Sequence, residues 1–242
     1  MKTIEITQEN RDLVGYTDTT TDLVIPATVT VDGEEFTITA IDNFAFQECD
    51  SLIRVVIPDT VTTIGSWAFA NCSDLKSIYL PTSIIDVGKY VFEFCYNLRD
   101  VNIPSGLTEL PEGMFNRCIQ LKMVVIPEGI TTIGKRAFEE CLNLEYIKFP
   151  STLFKIDDLA FKRCIRLNDI ILHKCKIIND EAFKGCTNLK GLVISDDICY
   201  IGYSAFDKCV IERGLYLGTK SQFECITVEY GNDMMIDKLT FK

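Results

Sequence analysis

A 23-residue period in cysteine and phenylalanine constrains this chain more than any other feature. The steps between successive cysteines are 23, 23, 23, 23, 23, 22 and 23 residues, and a phenylalanine precedes each cysteine by three positions. The cysteines concerned are Cys49, Cys72, Cys95, Cys118, Cys141, Cys164, Cys186 and Cys209. A period of roughly 20 to 50 residues is typical of a solenoid, in which each coil buries its apolar side only against its neighbours. The sequence therefore predicts stacked coils that share one continuous core.

Each coil has a fixed order of apolar and turn-forming residues. The repeat reads Ile-Gly-x-x-Ala-Phe-x-x-Cys-x-x-Leu-x-x-Ile-x-Ile-Pro-x-x-Val, and residues 57–80 show it well. Alternating apolar residues after the leucine predict a short strand, which proline ends. The Ala-Phe pair is expected on a short helical or 3₁₀ turn. The position after the first isoleucine holds glycine, aspartate or asparagine in seven of eight coils, so a left-handed corner is expected there.

Both ends of the chain depart from the repeat. Residues 1–40 are expected to form an N-terminal cap, in which Val29, Val31, Phe36 and Ile38 alternate around Asp32-Gly33 as a β-hairpin does. The repeats are expected over residues 41–217, and residues 218–242 should fold over the last coil as a C-terminal cap. Exposed ends of a solenoid need such caps.

The repeated pattern resembles the BspA-like, or Treponema pallidum-type, leucine-rich repeats. The resemblance lies in a Leu-x-x-Ile-x-Ile-Pro strand followed by Ile-Gly-x-x-Ala-Phe-x-x-Cys, as in residues 52–72 and 121–141, and it covers roughly residues 25–217. Residues 221–228 also look like the end module often seen in such proteins. The resemblance implies a right-handed leucine-rich-repeat solenoid, β/α or β-rich, of about eight 23-residue repeats with a parallel concave sheet and two caps. It implies a non-enzymatic binding role, commonly adhesion of surface proteins to host or partner proteins, and supplies no catalytic residues to transfer.

Composition restricts the partners that the chain could have. A net charge of −11 argues against a nucleic-acid ligand, because such proteins carry a basic field. No apolar run approaches the roughly 18 residues of a membrane span, so membrane insertion is not expected. The first 20 residues lack the apolar stretch of a secretion signal. A surface or secreted location, as the resemblance implies, and a cytoplasmic one both stay open, as does the oligomeric state.

The eleven cysteines are expected to be buried, free thiols for the most part. Adjacent coils should lie roughly 4.8 Å apart, within the range that a disulfide allows, but side chains in register point in parallel and do not converge. Cys199 is the cysteine we expect to react most readily.

The sequence contains little that indicates a catalytic site or a metal site. The single histidine, His173, lies two residues from Cys175, and a surface histidine beside a core thiol explains this pair better than a catalytic site. No Cys-x-x-Cys pair is present, so no metal site is expected, and no phosphate-binding loop or other cofactor motif appears.

The concave face holds the candidate binding residues. The outward strand positions and their neighbours predict an apolar, partly aromatic partner-binding stripe of Val56, Tyr79, Met123, Val125, Tyr146, Ile171, Val193 and Tyr216. One position before the strand, a basic rim is expected from Lys76, Arg99, Lys122, Lys190 and Arg213. An apolar stripe with a basic rim indicates a surface for a protein or glycoprotein ligand.

Two other interpretations remain open. Branched and aromatic residues suit strands whatever they bind, so the stripe could reflect strand propensity alone. The solenoid could also be a structural or assembly module that self-associates or docks within a larger complex.

Overall fold

The computed structural model describes residues 2–242 and shows a solenoid with a row of parallel strands along each of two sides, each row interrupted in places. We call the sheet built from the Leu-x-x-Ile-x-Ile segments the front sheet, and it corresponds to the expected concave sheet. Its strands are β2 Asp22–Val24, β5 Arg54–Val56, β7 Ser77–Tyr79, β9 Asp100–Val101, β11 Met123–Val125, β13 Tyr146–Lys148, β15 Ile170–Leu172, β17 Gly191–Ile194, β19 Arg213–Tyr216 and β21 Leu239–Phe241.

The second sheet uses the shorter segment that ends at the aliphatic residue before the corner of each coil, such as Ile64. Its strands are β1 Lys2–Ile6, β4 Glu34–Ile41, β6 Thr63–Ile64, β8 Asp86–Val87, β10 Glu109–Leu110, β12 Thr132–Ile133, β14 Lys155–Ile156, β16 Ile177–Ile178, β18 Tyr200–Ile201 and β20 Thr227–Val228. Strands one coil apart pair in parallel, except at β8/β10 in the second sheet and at β9/β11 and β13/β15 in the front sheet. The chain thus gives one strand to each side before it rises to the next coil.

The ends of the solenoid continue both sheets. Strand β3, Thr28–Val31, pairs antiparallel with the first part of β4 around Asp32-Gly33. The 3₁₀ helix Arg11–Val14 lies near the N-terminus, and the short helices α1, Lys220–Phe223, and α2, Asp233–Ile236, separate the last strands. Because β2 and β21 add a front strand at each end, the terminal segments are themselves part of the stack. The cap boundaries at residues 40 and 217 stay a prediction.

The core is a stack of repeated side chains. The eight phenylalanines at three residues before each cysteine are almost fully buried, and successive rings lie 5.1 to 5.8 Å apart between centroids with nearly parallel planes. Offset stacking of this kind adds roughly 0.5–1.5 kcal/mol per pair beyond the buried area. The repeated alanine and leucine, such as Ala137 and Leu144, are also fully buried beside the stack.

The cysteines are free thiols that join neighbouring coils by hydrogen bonds. Each of the seven from Cys72 to Cys209 at the repeat position donates its thiol to the backbone carbonyl of the phenylalanine one coil earlier, at 3.1 to 3.2 Å. Burial raises the pKa of Cys72 well above its usual value, so the thiol keeps the proton that it donates. This bond gives a buried carbonyl a hydrogen-bond donor. The cysteine therefore links neighbouring coils as well as filling space in the core.

The Ala-Phe segment does not form the helical or 3₁₀ turn that the sequence predicts. It consists of successive β-turns, for example with the amide of Cys72 donating to the carbonyl of Phe69. Two residues in each coil, five and one positions before the cysteine, have positive φ, as at Trp67 (55°) and Asn71 (59°). Their amides donate to the next coil, at Lys89 and Glu93 respectively. The left-handed conformation thus turns the peptide groups along the solenoid axis.

The predicted left-handed corner after the isoleucine is also wrong. None of the glycines at that position has a positive φ, and the reason for glycine there is contact between coils. A Cβ atom added to Gly88 would lie 2.4 Å from the backbone nitrogen of Ser66, and one on Gly65 would lie equally close to the nitrogen of Asn43. Pro111 at the same position in its coil agrees with the absence of a positive φ, which proline does not adopt.

Replacing a central ring of the stack should destabilise the fold strongly. Phe138→Ala removes a fully buried ring that stacks on both neighbours, so we expect a loss of about 3–5 kcal/mol in the free energy of unfolding. Urea unfolding followed by circular dichroism measures it. Met123→Ala, on a side chain that is 61% exposed, is the control and should change the value by less than about 0.5 kcal/mol.

Thiol labelling should separate two cysteines from the other nine. Only Cys199 and Cys225 are exposed, so native protein should react rapidly with Ellman's reagent at two thiols, and denatured protein at eleven. In the Cys199→Ser/Cys225→Ser variant the rapid phase should disappear. A third fast thiol in this variant would contradict the buried ladder.

Candidate functional site

The outward side chains of the front sheet, which we call the front face, contain most of the predicted stripe. In β5, β7, β11 and β13 strand alternation turns the central residue inward and its two neighbours outward, as with buried Ile78 between Ser77 and Tyr79. In β15 the order is reversed, so Ile171 faces outward between two buried residues. Six of the predicted stripe residues are therefore about half exposed or more, namely Val56, Tyr79, Met123, Val125, Tyr146 and Ile171. Val193 is only partly exposed.

Tyr216 is not part of the front face, which corrects the prediction. It is 1% exposed and packs edge-on against Phe223 and Phe241. The eighth coil is one residue shorter between its cysteine and its strand, since Ile211 fills the buried place that leucine fills elsewhere. Leu215 consequently pairs with Val193 and takes the outward position. The sequence signal was Glu212 at the leucine position beside an isoleucine.

The same shift moves Arg213 out of the predicted rim. Arg213 pairs with Gly191 in the front sheet and forms an ion pair with Asp169 at 3.1 Å. The other four rim residues, Lys76, Arg99, Lys122 and Lys190, are exposed one position before their strands. Lys190 forms an ion pair with Glu212 of the next coil at 3.2 Å.

The front face extends one coil further toward the N-terminus than the sequence prediction. Val24 is 66% exposed and pairs with Val56, so it lies next in the apolar stripe. Asp22 of the same strand forms an ion pair with Arg54. The copy of the repeat opening at Ile25-Pro26 was the signal that a front strand precedes it.

Two grooves lie on the front face. The first, of about 740 Å³, runs across β5, β7, β9 and β11 and is lined by Val56, Tyr79, Arg99, Asn102 and Met123 among others. The second, of about 510 Å³, lies over β15, β17 and β19, where Gly191 and Gly214 provide no side chains.

The front sheet is interrupted between these grooves and within the first. It consists of a 4-stranded, a 2-stranded and a 4-stranded piece, with breaks between β9 and β11 and between β13 and β15. Asn102 stands at the first break. Its amide nitrogen donates to the carbonyl of Leu80 at 2.7 Å and its amide oxygen accepts from the Leu80 nitrogen at 2.8 Å. The side chain therefore replaces a backbone pairing with the preceding coil.

The histidine and its neighbouring thiol are separated. His173 is exposed, whereas Cys175 is 1% exposed and its thiol donates to the carbonyl of Ile177 at 3.3 Å. Burial raises the pKa of Cys175 to about 12, so this thiol is protonated at neutral pH. Within residues 2–242, no group of three or more His, Cys, Asp or Glu side chains is placed to hold a metal ion. None of the helices described for the chain is long and apolar enough to cross a membrane.

Solved structures show the same fold. A leucine-rich repeat protein from Eubacterium ventriosum is 27% identical, with a TM-score of 0.62 over 69% of this chain and 43% of that one. The Treponema pallidum leucine-rich repeat protein is 27% identical, with a TM-score of 0.53 over 78% and 76%. One from Bacteroides ovatus is 24% identical, with a TM-score of 0.54 over 91% and 70%. This chain thus spans less than half of the length of the Eubacterium protein.

Family-level similarity rests on the repeats themselves. No curated protein matches the chain. The family model described as the BspA type leucine rich repeat region matches residues 39–168 and 155–223 in 6 copies, which is most of the chain and includes every repeat with the buried phenylalanine and cysteine. On this evidence the chain belongs to the BspA-type leucine-rich repeat family.

Proposed function

We propose that this chain is a non-enzymatic module that recognises a protein or glycoprotein through its front face, in adhesion or partner recognition. Leucine-rich repeat proteins are typically protein-interaction modules without catalytic activity. A surface or secreted location goes with this role. The observation that carries the proposal is the exposed stripe from Val24 to Ile171, which places apolar and aromatic side chains on β2, β5, β7, β11, β13 and β15.

Strand propensity does not account for all of this stripe. Valine, isoleucine and tyrosine favour strands, but methionine is not among the residues enriched there. Met123 is nevertheless 61% exposed beside the half-exposed Tyr146, with which it pairs across β11 and β13. Exposed methionine and tyrosine are enriched at protein-binding surfaces, since both provide large apolar contact area. A contiguous patch of this kind supports a binding role.

An assembly role is the second candidate, supported by the C-terminal end of the stack. Strand β21 is paired on one side only within the described residues, and Tyr230 and Met234 nearby are 78% and 67% exposed. An open strand edge is a template for pairing with another chain. Mass measured over a range of protein concentrations distinguishes this role, since self-association raises the mean mass with concentration.

Charge placed on the stripe should abolish partner capture. We expect Tyr79→Glu/Val125→Glu/Tyr146→Glu to fold normally, because all three side chains are at least half exposed, and to lose the partner that wild type retains. The measurement is paired affinity capture from host and native extracts, with mass spectrometry of the retained proteins.

A matched variant controls for the added negative charge. Thr62→Glu/Ile85→Glu/Phe154→Glu changes three exposed positions away from the front sheet and should retain the partner. If wild type and the stripe variant retain the same proteins, the front face is not the binding surface.

A further inference from the structure

Three cations precede consecutive strands beneath the first groove, and two of them, Arg99 and Lys122, line it. Lys76, Arg99 and Lys122 occupy the position just before β7, β9 and β11, on consecutive coils, and all three are exposed. We call them the cation row. The corresponding residues on either side of it are Ile53 and Glu145, so the row is confined to three coils.

The cations of this row have no ion-pair partners among the described residues. Among residues 2–242, none of the three cations forms an ion pair, whereas Arg54, Lys190 and Arg213 on the same face pair with Asp22, Glu212 and Asp169. Like charges on adjacent strands destabilise a sheet. The chain has 35 acidic residues against 24 basic ones, so an unpaired row of cations is not explained by a shortage of acidic partners.

The groove beside the row has an apolar floor. Val56, Tyr79 and Met123 line it, and Val125 continues the stripe beyond them. Asn102 also lines the groove, but its amide is tied to Leu80 and needs no ligand. Asp100 is the one carboxylate in the lining, against Arg54, Arg99 and Lys122. With Arg54 neutralised by Asp22, the groove and the row keep an excess of positive charge.

We propose that the cation row and this apolar floor bind an extended polypeptide segment that is both acidic and apolar, lying along the solenoid axis. The inference rests on the proposed binding function and specifies where on the front face the partner lies and what chemistry it has. The second groove is not part of this site, because Lys190 and Arg213 beside it are already neutralised.

The dimensions fit a peptide chain. Coils about 4.8 Å apart place the outer cations of the row about 10 Å from each other, which an extended peptide covers in about three residues. Carboxylates on one edge of such a segment would meet the row, while its apolar side chains would rest on the floor. An anionic polysaccharide would match the charges but would leave exposed valine and methionine side chains without an apolar partner.

Fluorescence anisotropy with labelled probes tests the chemistry. The probes are an octapeptide of alternating glutamate and leucine, its glutamate–glycine and lysine–leucine counterparts, and a heparin octasaccharide. We expect the glutamate–leucine peptide to bind tightest, and its affinity to fall with rising salt, since exposed charges are screened. Tighter heparin binding, or no preference for leucine over glycine, would overturn the assignment to an acidic and apolar polypeptide.

Charge reversal tests the position. The Lys76→Glu/Arg99→Glu/Lys122→Glu variant should bind the glutamate–leucine peptide with an affinity lower by about tenfold or more. Lys174→Glu/Lys208→Glu/Lys220→Glu is the matched control, because it makes the same change in net charge at exposed residues away from the row, and it should bind as wild type does. Equal binding by the two triple variants would show that the row is not the site.

The two proposals can fail separately. If the row variant retains the partner that the Tyr79/Val125/Tyr146 variant loses in affinity capture, the front face binds its partner without the cation row, and only the present inference is overturned. If both variants retain everything that wild type retains, the proposed function fails as well.

Discussion

In-register stacking of the coils is the constraint on which the rest of this structure depends. The buried phenylalanines stack ring on ring, and each repeat cysteine donates its thiol to a phenylalanine carbonyl one coil earlier. Both interactions require the same residue at the same place in consecutive coils. The core therefore fixes where these residues recur, every 23 residues in most coils and after 22 residues in one, where the ring stack and the thiol bond both persist. The other columns of side chains take their spacing from it.

Small departures from that register change which side chains the front face exposes. One residue fewer in the eighth coil turns Tyr216 into the core and moves Arg213 to the neighbouring column, where it meets Asp169. Asn102 in place of an apolar residue ties one strand to the preceding coil at a break in the sheet. Because the coils of a solenoid pack mainly against their nearest neighbours, such local changes alter the front face without disturbing distant coils.

The sequence predicts the features that follow from period and alternation. The fold, the buried phenylalanine and cysteine columns and most outward strand residues are of this kind, since they depend only on where a residue falls in the repeat. It does not predict the left-handed turns, because residues as different as Trp67 and Asn71 adopt them in order to donate their amides to the next coil. The predicted left-handed corner after the isoleucine is wrong for the same reason, since contact with the adjacent coil decides which residue fits there. Gly88 is set by the distance to Ser66 of the adjacent coil and not by its own φ.

The charges on the front face also depend on which residues adjacent coils bring together. An acidic chain surrounds most of its cations with carboxylates, and ion pairs between neighbouring coils, such as Lys190 with Glu212, are the usual result. Lys76, Arg99 and Lys122 depart from this pattern on three consecutive coils, where their mutual repulsion is greatest. Exposed ion pairs contribute little to stability, so pairing these residues would gain the fold little, and leaving them unpaired keeps their charge available to a ligand. A protein of net charge −11 repels an acidic partner at long range, so recognition has to come from contact between the row, the apolar floor and a segment that matches both.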